Sequence, residues 1–137
     1  MRELIVMVPS DDGKEIYLGH PGDSSNFYIY LLKEDGSFEN MKVIKNEAKD
    51  MEEKGEHGSK SKMKKVLQLL GRVDVILSRR NSPNLIRMAN NTEVQPVIVR
   101  KVQTIEEGLK KLSEHFEEVY GRIEKRRQGE RFDVMLI

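Results

Sequence analysis

The sequence predicts a three-layer α/β/α domain in which helices cover both faces of a mixed sheet of about five strands. Three observations indicate this fold: an unbroken apolar run at Leu4–Val8, an Asp35-Gly36 pair between two strand-like runs, and alternating helical and strand patterns after residue 62. Hairpins supply antiparallel pairs and strand-helix-strand connections supply parallel pairs, so the sheet is expected to contain both. The chain has 137 residues, which suits one domain.

The N-terminal part of the chain is predicted to hold a strand, a turn and a distinctive loop. Leu4–Val8 is continuously apolar, as in a buried strand, and the residues at 9–13 favour a turn. A second, short strand is expected at Glu15–Leu18. Residues 19–26 combine Gly, Pro, Asp, Ser and Asn, a composition that breaks strands and favours a loop.

The next part of the chain is predicted to hold a hairpin, a charged loop and a helix. The Asp-Gly pair predicts that Phe27–Lys33 and Phe38–Lys45 form an antiparallel hairpin. Residues 46–62 mix charges with Gly and have no apolar period, which indicates a mobile loop that could act as a lid. Apolar residues within 63–70 recur at helical spacing, and Gly71 is expected to end this helix.

Two further strand and helix pairs follow. Val73–Leu77 is predicted to be a buried strand, after which Ser82 caps a short helix. Val94–Val102 is predicted to be another strand, and Thr104 with Glu107 forms a capping box for one long helix. The buried face of this helix is expected to consist of Ile105, Leu109, Leu112, Phe116, Val119 and Ile123.

The C-terminal end of the chain is predicted to differ from the rest. Residues 1–122 are expected to form the domain, and residues 123–137 a charged and apolar C-terminal extension. Apolar residues at 132–137 are expected to add a strand to this sheet or to the edge of a partner's sheet. A homodimer through this tail is therefore one expected assembly.

Composition and charge exclude several classes of function. The chain has 24 Lys and Arg against 23 Asp and Glu, so no overall field favours nucleic acid or a membrane surface. There is no Cys, which excludes disulfides and sites built from thiolates. The longest apolar run near the N-terminus is too short for a signal peptide or a membrane span, so a cytoplasmic location is expected.

The candidate ligand-binding residues follow predicted strands. Ligands of open α/β sheets bind outside the carboxyl ends of parallel strands, where the turn containing Asp12 and the loop containing Arg80 and Asn81 should meet. A loop that carries Arg79, Arg80 and Asn81 directly before a helix start suits an oxyanion or carboxylate. An ordinary solvated loop with a helix cap is the alternative.

Histidines are the candidate metal ligands in a chain without Cys. His20 lies in a loop between Gly19 and Pro21, and a neutral imidazole there could bind a transition metal, with Asp23 near enough to orient the ring. His57 has a similar loop context. The alternative for both is an exposed loop residue, since their spacing matches no zinc signature.

The sequence contains no recognised catalytic motif. Asp11 and Asp12 after a strand are typical of a two-metal nuclease, but the further carboxylates that such a site requires are hard to find, and a turn-forming role explains both residues. A phosphate-binding Gly-rich loop, a serine elbow and a His-Glu-x-x-His helix are all absent. We therefore expect a protein that is not an enzyme.

The arrangement of these pieces resembles the dinitrogenase iron-molybdenum cofactor biosynthesis family over about residues 4–119. The resemblance rests on the order and spacing of Asp11-Asp12-Gly13, His20-Pro21-Gly22, His57-Gly58, Val73–Leu77, Ser82-Pro83-Asn84 and Thr104–Glu107. It implies a ribonuclease H-like fold without nuclease activity that binds or carries iron-molybdenum cofactor, its precursors or related metal-sulfur clusters. The family's cluster-binding histidine corresponds to His20, where this chain has Pro21 in place of the usual phenylalanine.

Three functional hypotheses follow. The first is a non-enzymatic carrier that holds a metal-sulfur cluster or oxyanion through His20, with Asp12, Arg80, Asn81 and His57 around it and a metalloprotein as client. The second is an interaction module that keeps the fold without the ligand and acts through its C-terminal tail. The third is a carboxylate-dependent nuclease that uses Asp11 and Asp12.

Overall fold

A computed structural model describes residues 1–50 and 60–137. These residues form six strands and four α-helices. In chain order the elements are β1 Glu3–Ser10, β2 Asn26–Lys33, β3 Phe38–Lys45, α1 Lys60–Leu70, β4 Val75–Ser78, α2 Pro83–Asn91, β5 Gln95–Ile98, α3 Ile105–Glu114, α4 Phe116–Arg127 and β6 Met135–Leu136. None of the described helices is both long enough and apolar enough to cross a membrane.

The strands form one mixed sheet in the order β3-β2-β1-β4-β5-β6. β1 pairs antiparallel with β2, and β2 with β3, whereas β4, β5 and β6 follow β1 as parallel neighbours. The α/β class, the mixed sheet and the three-layer arrangement are confirmed, with one strand more than predicted.

Two apolar layers hold helices against the two faces of the sheet. On one face, α3 and α4 cover β1, β4 and β5, with a core that includes Val6, Leu77, Leu109 and Val119. On the other face, α1 and α2 pack on strand residues that alternate with these, such as Met7 and Ile76. The two helices contribute Val66, Leu70, Leu85 and Met88 to this second core. The helical spacing in the sequence therefore predicted the buried faces of these helices correctly. A helix layer is needed on each side of the sheet, because both faces of a central parallel strand are buried.

The predicted hairpin and helix caps are confirmed. Gly36 has φ +89°, a conformation that glycine adopts without strain, and Lys33 N donates to Ser37 O at 2.9 Å across the turn. Ser82 Oγ accepts from Leu85 N at 3.2 Å at the start of α2. Thr104 and Glu107 form the predicted capping box of α3.

The short strand predicted at Glu15–Leu18 is wrong. Ile16 N donates to Gln103 O at 3.0 Å, while Tyr17 N donates to Pro9 O at 2.8 Å. Because consecutive N–H groups bond to two different neighbours, the segment forms one isolated bridge between Glu15 and Thr104 in place of a ladder. Ile16 is nevertheless buried in the core.

The prediction of a single long helix is also wrong, since the chain forms α3 and α4 with a break at His115. His115 has φ −108° and ψ 18°, and its N–H donates to Leu112 O at 3.0 Å. No Gly or Pro marks this break, and the apolar period runs across it unchanged, so periodicity alone gives a continuous helix.

The C-terminal residues predicted as an extension belong to the same sheet and core. Met135 and Leu136 of β6 pair with Val97 and Ile98 of β5, so the tail adds its strand to this sheet. Arg126 of α4 is fully buried. Its guanidinium donates to Gln95 Oε1 at 2.8 Å, Ala89 O at 3.0 Å, Thr92 O at 2.8 Å and Phe132 O at 2.7 Å.

Candidate functional site

The loops that carry the predicted site residues meet at one edge of the sheet, as expected from the strand directions. β1, β4 and β5 are parallel, so the segments 11–18, 79–82 and 99–104 leave the sheet at their common carboxyl edge. Asn26 pairs with Ser10, the last residue of β1, which brings the segment 19–25 to the same edge. We call this region the carboxyl edge.

The segment 11–18 is held rigidly against α3. Asp12 Oδ1 accepts from Lys14 N and Glu15 N, both at 2.9 Å, and these N–H groups hold the pKa of Asp12 below its usual range. Lys14 O accepts from Ile105 N at 2.8 Å. The Asp12 carboxylate therefore shapes its own turn, as the turn-forming interpretation predicts.

Asp11 joins this segment to the loop that contains His20. Asp11 Oδ1 accepts from Ser25 N at 2.7 Å. Both carboxylates of the predicted nuclease pair thus have an oxygen bonded to backbone N–H groups. Within residues 1–50 and 60–137, no group of three or more His, Cys, Asp or Glu side chains could hold a metal ion.

His20 stands at the start of a one-turn 3-10 helix, Pro21–Asp23. His20 O accepts from Asp23 N at 2.9 Å, and Ser24 Oγ donates to Pro21 O at 3.0 Å. The His20 residue itself is half-buried, and Pro21 restricts the backbone after it. We call residues 19–25 the His20 turn.

Two buried polar side chains, those of Asn46 and Lys62, hold the His20 turn in place. Asn46, which is 4% exposed, donates through Nδ2 to Gly22 O at 2.9 Å and Ser24 O at 2.8 Å. Lys62 of α1 forms an ion pair with Asp23 Oδ1. Asp23, which the sequence predicted to orient the His20 ring, thus gives one oxygen to Lys62, and the turn is anchored to the first helix.

Two neighbouring clefts open beside the segment 11–18. The first, about 510 Å³, is the acidic cleft; it is lined by Asp11, Asp12, Glu15, Ile16, Tyr17, Leu18, Arg79 and Gln103. The second, about 490 Å³, is the basic cleft; it is lined by Leu18, Arg79, Val99, Arg100, Lys101, Val102, Gln103 and Glu107. Leu18, Arg79 and Gln103 line both clefts, so they separate an acidic side of the edge from a basic side.

The two consecutive arginines after β4 have different surroundings. Arg79 is half-buried and lines both clefts, whereas Arg80 is exposed and lines neither of them. Ser78 Oγ donates to Arg80 O at 2.7 Å in the tight turn between these residues. The sequence placed both arginines in a loop that suits an oxyanion and gave Arg80 as the site residue. It could not show that Arg79 is the arginine that lines the clefts, because both arginines closely follow the strand.

Lys101 and Gln103 are site residues that sequence reasoning missed. Lys101 was assigned to the strand Val94–Val102 and Gln103 follows that strand directly, but β5 ends at Ile98 and the following residues form the wall of the clefts. Lys101 has φ +62°, and among the described residues it is the one non-glycine residue with a positive φ. Gln103 Nε2 donates to Glu15 Oε1 at 2.8 Å, which joins the segments after β1 and β5.

Of the two remaining predicted site residues, the structure describes Asn81 and does not describe His57. Asn81 Oδ1 accepts from Ser82 N at 2.8 Å, and Asn81 lines a third cleft of about 290 Å³ with the apolar side chains of Ile86 and Leu136. His57 lies outside the described residues, as does most of the loop predicted to act as a lid. The described end of that loop, residues 60–62, belongs to α1.

Comparison with known proteins identifies a family that covers most of the chain. A family model described as dinitrogenase iron-molybdenum cofactor matches residues 2–115, which span β1 to the end of α3 and include the whole carboxyl edge. No curated protein sequence and no solved structure shows significant similarity to the chain.

Proposed function

Because the chain belongs to the dinitrogenase iron-molybdenum cofactor family, we propose that it reversibly binds an iron-molybdenum-type metal-sulfur cluster, or a precursor of one, and passes it to a client metalloprotein. In this proposal the cluster is cargo and the protein performs no chemistry on it. The observation that carries the proposal is the His20 turn, which holds a half-buried histidine at the carboxyl edge within the matched residues.

His20 is the proposed ligand to the cluster. An imidazole is a good ligand for transition metals, and its usefulness depends on a fixed position. The contacts of Asn46 and Lys62 supply that position, because they hold Gly22, Asp23 and Ser24 directly after the histidine. The turn therefore does not have to become ordered when the cargo arrives, which removes an entropic cost of binding.

A single imidazole suits cargo that must be released again. The chain has no Cys, so thiolates, which hold metal-sulfur clusters firmly, are not available from it. A preassembled cluster brings its own sulfide ligands and needs few from the protein. One nitrogen ligand can then be exchanged by a client, which is the behaviour that a carrier requires.

Cationic groups at the same edge are proposed to balance the charge of the cluster. Arg80 is exposed next to Asn81 and the start of α2, where a guanidinium can meet an anionic surface without rearrangement. Asp12 is proposed to act indirectly, since its carboxylate holds the turn after β1. His57 stays a proposed contact to the bound cluster, with His20 as the metal ligand.

An anaerobic titration tests the proposed function. The full chain is titrated with isolated iron-molybdenum cofactor, and separately with thiomolybdate and iron, while the visible absorption spectrum is recorded. We expect a saturable change that His20→Ala abolishes. His115→Ala is the matched control, because His115 lies near Glu117, which pairs with Arg2 before β1 at the opposite edge of the sheet. Absence of a saturable change in the unmodified protein would contradict the proposal.

A second candidate function is an interaction module that acts through the tail. Leu136 of β6 is 59% exposed and Ile86 of α2 is 48% exposed, and both line the third cleft at the end of the sheet. Such an apolar surface at an edge strand is a possible contact with a second copy. Analytical ultracentrifugation of the unmodified chain and of Leu136→Asp distinguishes the interaction module from the carrier. A dimer that Leu136→Asp dissociates, in a protein that binds no cluster, favours the interaction module.

A further inference from the structure

We propose that the basic cleft is a separate binding site for a small multivalent oxyanion, an organic molecule or ion that carries two or more carboxylate or phosphate groups. This inference goes beyond the cluster proposal, since it concerns different residues and does not require His20. Its basis is the combination of charge, shape and backbone conformation in the loop that follows β5.

The charge of the basic cleft favours an anion. Three cationic side chains, Arg79, Arg100 and Lys101, line it together with one carboxylate, that of Glu107. Glu107 Oε1 accepts from Thr104 N at 3.1 Å and from Thr104 Oγ1 at 2.9 Å, and its negative charge balances one of the three cationic groups. The remaining positive charge makes the cleft attractive to an anion at low ionic strength.

The dimensions of the cleft favour a ligand larger than a single inorganic ion. Its volume of about 490 Å³ lies within the range typical of sites for small organic molecules, about 300–1,000 Å³. Val99, Val102 and Leu18 supply apolar walls, and the Gln103 side chain supplies a polar group. A carbon framework with several oxyanion groups matches this combination of walls and charges.

The backbone that presents Lys101 is fixed and strained. Lys101 adopts φ +62°, a left-handed conformation that an ordinary side chain rarely adopts and that often marks functional positions. The residue before it is held on both sides: Arg100 N donates to Ile137 O at 3.0 Å, and Arg100 O accepts from Lys111 Nζ at 2.7 Å. The loop is therefore preorganised, and it places a lysine where glycine would fit with less strain.

Arg79 is the proposed central residue of this site. It is half-buried and lines both clefts, so it is within reach of a ligand bound in the basic cleft. A guanidinium can donate two parallel hydrogen bonds to one carboxylate or phosphate group, and Lys101 can balance the charge of a second group.

The test is isothermal titration calorimetry of the full chain with citrate and with pyrophosphate as probes, at low ionic strength. The two probes distinguish carboxylate from phosphate recognition. We expect saturable binding of at least one probe at one site per chain, weakened by added salt. Arg79→Ala is expected to weaken binding at least about tenfold, whereas Arg72→Ala, an exposed arginine before β4 at the opposite edge, leaves it unchanged.

Lys101→Gly separates binding from folding. Glycine accepts the left-handed conformation, so this variant is expected to keep the melting temperature while it weakens probe binding. His20→Ala is expected to bind the probes normally, which distinguishes this site from the cluster site. The proposal is overturned if neither probe binds the unmodified chain, or if Arg79→Ala and Lys101→Gly bind them as tightly as the unmodified chain does.

Discussion

Lys62 of α1 pairs with Asp23 of the His20 turn, and the lysine side chain is only 4% exposed whereas the aspartate side chain is 38% exposed. Lys62 Nζ also donates to Lys49 O at 3.3 Å, in the segment after β3. One buried ammonium thus links the first helix, the segment after the hairpin and the turn that presents the proposed ligand. The position of His20 depends on this link.

Lys62→Ala is expected to loosen the His20 turn. The substitution removes the ion pair and leaves the Lys49 carbonyl without this donor, which should lower the free energy of unfolding by about 1–3 kcal/mol. Hydrogen exchange of the Asp23 and Ser24 amides should accelerate more than exchange in the central strands. Lys64→Ala, an exposed lysine on the same helix, is the control. Equal behaviour of the two variants would show that the link has no such role.

Asn46→Asp is expected to disturb the same turn from its other side. Asn46 Nδ2 donates to two carbonyl groups, of Gly22 and Ser24, at a buried position. Aspartate has the same shape but would place a carboxylate oxygen against both carbonyls, so a loss of about 2–4 kcal/mol in unfolding free energy is expected from chemical denaturation. Asn40→Asp on the exposed strand β3 is the control. Similar small effects of the two substitutions on the unfolding free energy would contradict the role of Asn46 in holding the turn.

Arg126 is expected to be essential for the packing of the C-terminal segment. Burial, with Arg131 and Arg122 nearby, lowers the pKa of Arg126 to about 10, so the guanidinium is charged at neutral pH. Arg126→Met keeps an unbranched apolar stem but leaves four oxygen atoms at buried and part-buried positions without this donor, which should cost at least about 3 kcal/mol in urea unfolding. Lys125→Ala on the exposed side of α4 should have little effect. An Arg126→Met variant as stable as the unmodified chain would contradict this role of Arg126.

Glu107→Gln is expected to flatten the pH dependence of stability in acid. Hydrogen bonds from the Thr104 side chain and backbone, with Arg79 nearby, hold the pKa of Glu107 below its usual range. A carboxyl group with a lowered pKa in the folded state stabilises that state above the unfolded pKa, about 4.3, and this contribution is lost as the pH falls through the folded pKa. Glutamine can keep the capping box without titrating. Unfolding free energies at several pH values between neutral and about 3 should therefore fall less steeply for the variant; parallel curves would refute the assignment.

Most of the fold was predictable because its signals are local or periodic. The Asp35-Gly36 turn, the Ser82 cap and the Thr104 capping box each require particular residue types at fixed spacings, and the structure contains all three. The break at His115 was not predictable, because it depends on how two helices pack on the sheet and no local signal marks it. The role of Arg126 was hidden for a similar reason: in the sequence it belongs to a run of charges, which normally indicates a solvated surface.

The candidate site was predictable only at the level of loops. Strand directions alone brought the segments after β1 and β4 and the His20 turn to one edge. The choice between Arg79 and Arg80 depended on the direction of each side chain in a tight turn. The position of Lys101 in the cleft wall follows from the end of β5 at Ile98. Side-chain periodicity does not show where the strand ends, because valines continue beyond it.

Isotope labelling tests whether the His20 imidazole is a ligand to a bound cluster. Protein that contains ¹⁵N-histidine is loaded anaerobically with isolated iron-molybdenum cofactor, and pulsed electron paramagnetic resonance measures hyperfine coupling between the cluster and ¹⁵N. We expect coupling in the unmodified protein and in His115→Ala, and none in His20→Ala. Bound cofactor without ¹⁵N coupling, or coupling that persists in His20→Ala, would contradict it.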